Sequence, residues 1–114
     1  RVTNPDILVA QAADSINRFG QVVKPEGILI YDSDMVHETP PDIQRQYKVP
    51  ATSIARNQLK ASMVANMVML GAFIRKSNLV RLDTIFKGLE ETFKKKEKLI
   101  AINKDALLAG YNLP

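Results

Sequence analysis

Cysteine is absent from the 114 residues of this sequence, and His37 is the only histidine. Without a thiol, the chain cannot form a disulfide, ligate an iron–sulfur cluster or use a cysteine nucleophile. The five glycines are isolated from one another and form neither Gly-x-Gly-x-x-Gly nor Gly-x-x-x-x-Gly-Lys. The sequence therefore lacks the familiar glycine-rich loops that bind phosphates, and it also lacks the Gly-x-Ser-x-Gly segment of serine hydrolases.

Long apolar runs are missing as well, because no stretch reaches the ~20 apolar residues that a membrane-spanning helix needs. We recognise no signal peptide, and we expect a cytoplasmic protein that does not enter a membrane. With 46% hydrophobic and 25% charged residues, the composition predicts one soluble globular domain.

Charge is distributed unevenly along the chain. Residues 1–50 carry five Lys or Arg and seven Asp or Glu, whereas residues 51–114 carry 11 and five, a net charge of +6. A basic half of this kind attracts phosphate groups or an acidic partner, or it is simply a solvated face. The solvated face is the more common explanation.

Two short apolar segments near the start predict buried strands, at residues 7–10 and 27–32. Between them, residues 11–19 predict a helix that is stopped by Gly20. Strand, helix and strand within about 28 residues approach the size of a βαβ unit, which places the strands parallel with a right-handed crossover.

The middle of the chain predicts one more short strand and the first of several helices. Residues 47–49 lie before Pro50 and are typical of an edge strand. Thr52 or Ser53 is a suitable N-cap for a helix that extends to about residue 59. The sequence therefore predicts an α/β fold with a Rossmann-like three-layer core, parallel strands and a helix-rich C-terminal half.

Residues 61–74 form the most apolar stretch, interrupted only by Ser62 and Asn66. A helix that is apolar on nearly every side is normally buried in a core or an interface. We expect this helix to end near residue 76 with Asn78 as a left-handed stop, and Asn66 to be a buried amide that fixes the register of the helix. A ligand or partner contact at Asn66 is the less favoured alternative.

The last third predicts two further helices. Residues 82–96 have amphipathic periodicity, and a final helix beginning near residue 99 is expected to close at Gly110. Lys94–Lys96 and Lys98 would then form a basic collar, with their side chains pointing around the C-terminal end of a helix, where the helix dipole favours cations. The tyrosines are far from this collar in the sequence, so base-stacking platforms and nucleic-acid binding are not supported.

The clearest local motif is Asp32-Ser33-Asp34, directly after the second strand. Ligands of open α/β sheets bind beyond the carboxyl ends of the strands, and an apolar strand that ends in Asp-x-Asp resembles the first motif of haloacid-dehalogenase-type phosphatases. The later Gly-Asp-x-x-x-Asp pair of those enzymes is missing. His37, a possible base or metal ligand, lies in a polar, proline-bounded loop and is more simply explained as exposed.

Five segments occur in an order and spacing that resemble one family: residues 5–10, 27–33, 49–52, 65–72 and 106–111. The most specific is Ala-Asn-Met-Val-Met-Leu-Gly-Ala at residues 65–72. Together they resemble the gamma subunit of 2-oxoacid:ferredoxin oxidoreductases, most closely the 2-oxoglutarate type.

The resemblance implies a non-catalytic subunit of a larger oxidoreductase, inactive when isolated. That enzyme decarboxylates a 2-oxoacid oxidatively on thiamine diphosphate, passes electrons through iron–sulfur clusters to ferredoxin and forms an acyl-CoA. Companion subunits would hold the thiamine diphosphate and the clusters, and we expect this chain to bind no cofactor by itself. Its implied contribution is to hold the assembly together and to help form the CoA region.

The implied partners are the alpha and beta subunits, with a delta subunit and a homodimer of the isolated chain as further candidates. Ferredoxin would be reached through the complex, and neither nucleic acid nor a membrane is an expected partner. Members of the family begin with a Gly-rich βα loop that this sequence lacks, so we expect residues 1–114 to be the C-terminal two-thirds of a single gamma domain. Arg81 stands where the family often has a helix-capping Ser.

We expect no catalytic residue and no metal ligand in this chain, and the sequence identifies no cofactor-binding residue. The structural or interface candidates are Asn66, Met67, Met69 and Gly71. Two other classes of function stay open: a stand-alone module that binds an acidic or phosphorylated partner through the basic half, and a phosphatase-like site at Asp32 and Asp34.

Overall fold

The computed structural model describes residues 7–12 and 26–114. Within them, β1 (Ile7–Ala10), β2 (Ile28–Asp32) and β3 (Arg45–Val49) form a sheet in the order β1-β2-β3. Both pairings are parallel, with Ile7 opposite Ile28 and Ile28 opposite Arg45. The predicted α/β class with parallel strands is confirmed. Most of the helix predicted over residues 11–19, with the crossover after it, lies outside the described residues.

The two faces of the sheet are covered in different ways. Ile30 of β2 packs towards the helical layer, whereas Leu29 points to the opposite face and packs against Val36 and Ile43. Val36 and Ile43 belong to the connection between β2 and β3, residues 33–44, so an irregular segment covers this part of the sheet. The side chain of Gln46 fixes that segment, because its Nε2 donates to the carbonyl oxygens of residues 40 and 43 at 2.6 and 2.7 Å.

Helices dominate the rest of the chain, as predicted. They are α1 (Ala51–Ser53), which continues as a π-helical segment (Ile54–Gln58), a 3₁₀ turn (Ser62–Val64), α2 (Ala65–Ser77), α3 (Leu82–Thr92) and α4 (Glu97–Tyr111). No helix in the described part of the chain combines the length and the apolar character that crossing a membrane requires.

The apolar stretch at residues 61–74 differs from its prediction at its start and on one side. Its first residues form the 3₁₀ turn, and the α-helix begins only at Ala65. Val68, Met69 and Ala72 are buried against the sheet, but Met63 is 77% exposed. The predicted stop is confirmed, because Asn78 has φ 56° and its N–H donates to the carbonyl oxygen of Ile74. The stretch therefore has a buried side and an open side.

The most extensive contact between described elements is that of α2 with α4, and two glycines permit it. A Cβ atom on Gly71 would overlap the carbonyl oxygen of Leu107 and lie 2.8 Å from its carbonyl carbon. A Cβ atom on Gly110 would meet the carbonyl group of Val68 in the same way. The prediction that Gly110 ends the last helix is wrong, because Gly110 lies inside α4, which continues to Tyr111. The absence of a side chain at Gly110 allows α4 to approach α2 closely and does not mark the end of the helix.

The amphipathic helix at residues 82–96 is shorter than predicted. α3 ends at Thr92, and the chain turns with Lys95 at φ 65° before α4 begins. Phe93, directly after α3, packs partly buried against the cluster of Ile74, Leu89 and Leu107. Lys94–Lys96 therefore lie in the turn between two helices, and the predicted collar at a helix end is wrong.

Gly71→Ala should destabilise the protein because the new methyl group has no room against the backbone of α4. Overpacking of this kind costs about 1–3 kcal/mol, and the contacting atoms are backbone atoms that cannot rotate away. We expect a loss of about 2 kcal/mol in the free energy of unfolding, measured by urea denaturation. Gly110→Ala should behave in the same way.

Gly88→Ala is the matched control for this experiment. Gly88 also lies in a helix, but a Cβ atom there would meet nothing within 4 Å. Alanine at this position should stabilise the protein by about 0.5–1 kcal/mol through helix propensity alone. Equal effects of Gly71→Ala and Gly88→Ala would show that the close approach of α2 and α4 is not required.

Candidate functional site

The Asp32-Ser33-Asp34 motif connects the end of β2 to the start of α1. Asp32 is only 3% exposed, and its two carboxylate oxygens accept from the backbone N–H of Asp34 at 3.0 Å and from the Thr52 hydroxyl at 2.7 Å. The Asp34 carboxylate accepts from the backbone N–H of Ser53 at 2.7 Å. The two carboxylates thus accept from the backbone N–H groups of Asp34, just after β2, and of Ser53, in the first turn of α1. The first N–H groups of a helix have no partner within the helix itself.

This geometry corrects the predicted cap of α1. Thr52 and Ser53 are not the N-cap, because Pro50 occupies that position and the helix already begins at Ala51. Proline has no side-chain acceptor, so Asp34 supplies one from outside the helix. Thr52 instead uses its hydroxyl to bind Asp32.

The same geometry gives no support to phosphatase chemistry. A nucleophilic carboxylate needs an oxygen that can reach a phosphoryl group, and both oxygens of Asp32 are engaged within the fold. His37 is exposed, as predicted. Within residues 7–12 and 26–114, no group of three or more His, Cys, Asp or Glu side chains could hold a metal ion.

A cleft of about 530 Å³ runs along β3 and past the carboxyl end of β2. Its walls come from β3, from α2 and from the end of α4, and its lining residues include Ser33, Val49, Pro50, Ala72, Gly110 and Leu113. The Lys76 ammonium lies 4.3 Å from the centre of the Tyr47 ring and donates to the carbonyl oxygen of Pro114 at 3.2 Å. Lys48 also lines the cleft. Apolar walls with cationic groups suit an anionic ligand that has an apolar portion.

The four candidates from the sequence lie on different sides of α2. Met69 is buried against the sheet, Gly71 touches α4, and Met67 packs partly buried between the two clusters of the helical layer. Asn66 is exposed, which corrects the expectation of a buried amide that fixes the register. It lines a groove of about 290 Å³ beside the end of β1. A role of Asn66 in an interface stays a prediction.

Sequence reasoning missed a second surface, at the connection between α2 and α3. Leu79 is 73% exposed and Val80 is 37% exposed. Both line an open groove of about 540 Å³, together with Ile74, Leu82, Phe86 and Tyr111. Two adjacent aliphatic residues directly after a helix stop were the available signal, because such a turn is usually polar.

Arg81 begins α3 without capping it. Its side chain makes no hydrogen bond to the helix start and instead contacts Asp83 in the first turn, with Nε 3.1 Å from Oδ1. This hydrogen bond raises the pKa of Arg81 and lowers the pKa of Asp83. Both side chains are exposed, so the pair marks the rim of the groove without adding much stability.

Comparison with known proteins identifies the family. The profile described as pyruvate ferredoxin/flavodoxin oxidoreductase matches residues 1–113, which is nearly the whole chain. The chain belongs to this family. The resemblance inferred from the five sequence segments is therefore confirmed at the family level.

Relatives within the family point to gamma-type subunits. The chain is 34% identical over 114 residues to the 2-oxoglutarate synthase subunit KorC of Methanocaldococcus jannaschii, covering 91% of this chain and 58% of KorC. It superposes with a TM-score of 0.83 and 25% identity on the gamma subunit of a keto/oxoacid ferredoxin oxidoreductase from Geobacter sulfurreducens, covering 93% of this chain and 62% of that subunit. It thus spans roughly three-fifths of these relatives.

A third relative contains the same unit within a much longer polypeptide. The 2-oxoglutarate:ferredoxin oxidoreductase of Magnetococcus marinus, solved with 2-oxoglutarate, coenzyme A and succinyl-CoA bound, matches with a TM-score of 0.78 and 27% identity. The match covers 92% of this chain but only 19% of that one. The family thus carries this fold both as a separate subunit and as one part of a larger chain.

Asp32→Ala should destabilise the chain more than Asp34→Ala. The first change leaves the partly buried N–H of Asp34 and the Thr52 hydroxyl without their acceptor, which costs about 1–3 kcal/mol, whereas loss of a capping acceptor costs about 1 kcal/mol. Urea denaturation measures both, with the exposed Glu38→Ala as the control. If Asp32→Ala left stability unchanged but abolished a Mg²⁺-dependent phosphatase activity, Asp32 would be catalytic and its structural role would be wrong.

Proposed function

We propose that this chain is the non-catalytic gamma component of a 2-oxoacid:ferredoxin oxidoreductase. The complex would decarboxylate a 2-oxoacid oxidatively, form the acyl-CoA and reduce ferredoxin. KorC, whose name specifies 2-oxoglutarate, favours 2-oxoglutarate as the substrate and succinyl-CoA as the product. Thiamine diphosphate and iron–sulfur clusters would be held by the alpha and beta subunits, or by a delta subunit, since this chain has no cysteine to ligate a cluster.

One observation carries the proposal: the same unit makes up 19% of the long Magnetococcus chain and roughly three-fifths of a separate subunit. A unit that is covalently part of the enzyme in one protein and a separate chain in another is expected to work inside the assembly. The side-chain chemistry agrees, because the Asp32 and Asp34 carboxylates serve the fold. A stand-alone binding module is less favoured, because the relatives are named as subunits.

The experiment is reconstitution of the complex. The chain should co-purify with the alpha and beta subunits, and on its own it should not oxidise 2-oxoglutarate. A complex prepared without it should regain CoA-dependent ferredoxin reduction when the purified chain is added. Turnover of 2-oxoglutarate by the isolated chain would overturn the proposal, and so would a complex that works equally well without it.

We further propose that the cleft along β3 contributes to the CoA region of the complex. Its apolar walls would accommodate an acyl or pantetheine portion, while Lys48 and Lys76 would lie near phosphate groups. Support comes from Ser33, Val49 and Pro50, which bring one end of the cleft to the carboxyl edge of the sheet, where ligands of α/β proteins bind.

Lys48→Gln should raise the KM for CoA in the reconstituted complex without changing the KM for 2-oxoglutarate. Loss of one exposed phosphate contact corresponds to about 1 kcal/mol, or about a fivefold change. Lys98→Gln, an exposed lysine that does not line the cleft, is the control. An unchanged KM for CoA in Lys48→Gln and in Lys76→Gln would remove the cleft from the CoA region.

A further inference from the structure

The ammonium group of Lys76 is held in place at the wall of the cleft along β3. It lies 4.3 Å from the centre of the Tyr47 ring and donates to the carbonyl oxygen of Pro114 at 3.2 Å. Lys76 is partly buried, whereas Lys48, the other lysine that lines the cleft, is exposed. A lysine side chain is flexible by itself, so the ring and the carbonyl group together restrict where the Lys76 charge lies.

The register of β3 brings the Tyr47 ring to this lysine. Alternate residues of a strand point to the same face of the sheet, and Tyr47 and Val49 both pack against the helical layer. Lys76 belongs to the last turn of α2, a helix of that layer. The contact between ring and ammonium therefore joins β3 to the end of α2, and both of its members line the cleft.

The charge of Lys76 is not neutralised by the walls of the cleft. Among the described residues that line the cleft there is no Asp or Glu. Lys104 provides a contrast, because it also lies over a ring, 5.1 Å from the centre of Phe86, but donates to the Glu90 carboxylate at 2.7 Å. An ammonium group has three N–H donors, and the Pro114 carbonyl accepts from one of them. Lys76 thus keeps donors and a net charge for an anion.

We propose that Lys76 binds a phosphate group of CoA in this cleft, and that Tyr47 is the positioning residue that holds its ammonium there. This inference rests on the proposed CoA role of the cleft and names the residues that perform it. The face of the ring stabilises a cation that has lost part of its water, and the remaining N–H groups form charge-assisted hydrogen bonds to phosphate oxygens.

The test is a double-mutant cycle in the reconstituted complex, with KM for CoA as the readout. Lys76→Gln should raise this KM about fivefold through loss of the phosphate contact. Tyr47→Leu should raise it about twofold to fivefold, the size of a cation–π contact, with kcat and the KM for 2-oxoglutarate unchanged. Tyr47→Phe keeps the ring and should retain the wild-type KM. In the Lys76→Gln background, Tyr47→Leu should have no further effect, because a positioning residue acts through the lysine.

Lys104→Gln is the matched control, since it removes a second lysine from the face of a ring but outside the cleft. It should leave the KM for CoA unchanged. Co-purification of each variant with the alpha and beta subunits should stay at the wild-type level. If Tyr47→Leu fails this check, Tyr47→Met, which also lacks the ring, replaces it in the cycle.

A raised KM for CoA in Lys76→Gln with a wild-type value in Tyr47→Leu would overturn the positioning role. So would an equal further increase when the two changes are combined. If Lys76→Gln instead weakened assembly, or raised the thiamine diphosphate concentration that the complex needs, the lysine would serve a partner subunit or that diphosphate, and the inference would be wrong. In all these outcomes the wild-type chain still restores CoA-dependent activity, whereas failure of the proposed function would show as a complex that works equally well without the chain.

Discussion

Two glycines let the backbones of α2 and α4 touch, and much of the molecule is arranged around that contact. Gly71 faces the Leu107 carbonyl, and Gly110 faces the Val68 carbonyl. The approach is reciprocal, because each helix offers a bare Cα to a carbonyl of the other. Neither position tolerates a Cβ without moving a helix, so the separation of α2 and α4 is set by backbone atoms and leaves little freedom to adjust.

Fixing α4 against α2 also positions the surfaces on either side of them. Gly110 and Ala72 belong to the contact and to the wall of the cleft along β3, so the width of that cleft depends on how closely the helices approach. On the other side, Ile74 and Tyr111 extend from the same two helices to the floor of the groove beside Leu79. One closely packed helix pair thus contributes walls to both the cleft and the groove.

The sequence is informative wherever a local signal determines local structure. Apolar runs locate β1 and β2, the position before Pro50 locates β3, and the residue type of Asn78 suffices to predict a left-handed stop. Errors arise where distant residues decide the outcome. Glycine is common at helix ends, which predicts an end at Gly110, but the partner of Gly110 is Val68, 42 positions away along the chain. The capping role of Asp34 escapes prediction for the same reason, since Ser53 approaches it only through the sheet.

Packing within the fold explains the residues on the buried side of α2 but not those on its exposed side. The fold explains both Gly71, which leaves room for the Leu107 carbonyl, and Met69, which is buried in the core. Asn66 lies in the same family-like segment but faces the open groove beside β1, and nothing in the described packing requires an amide there. Folding therefore explains only part of residues 65–72. The described core does not account for an amide at position 66, and a role of Asn66 in an interface stays a prediction.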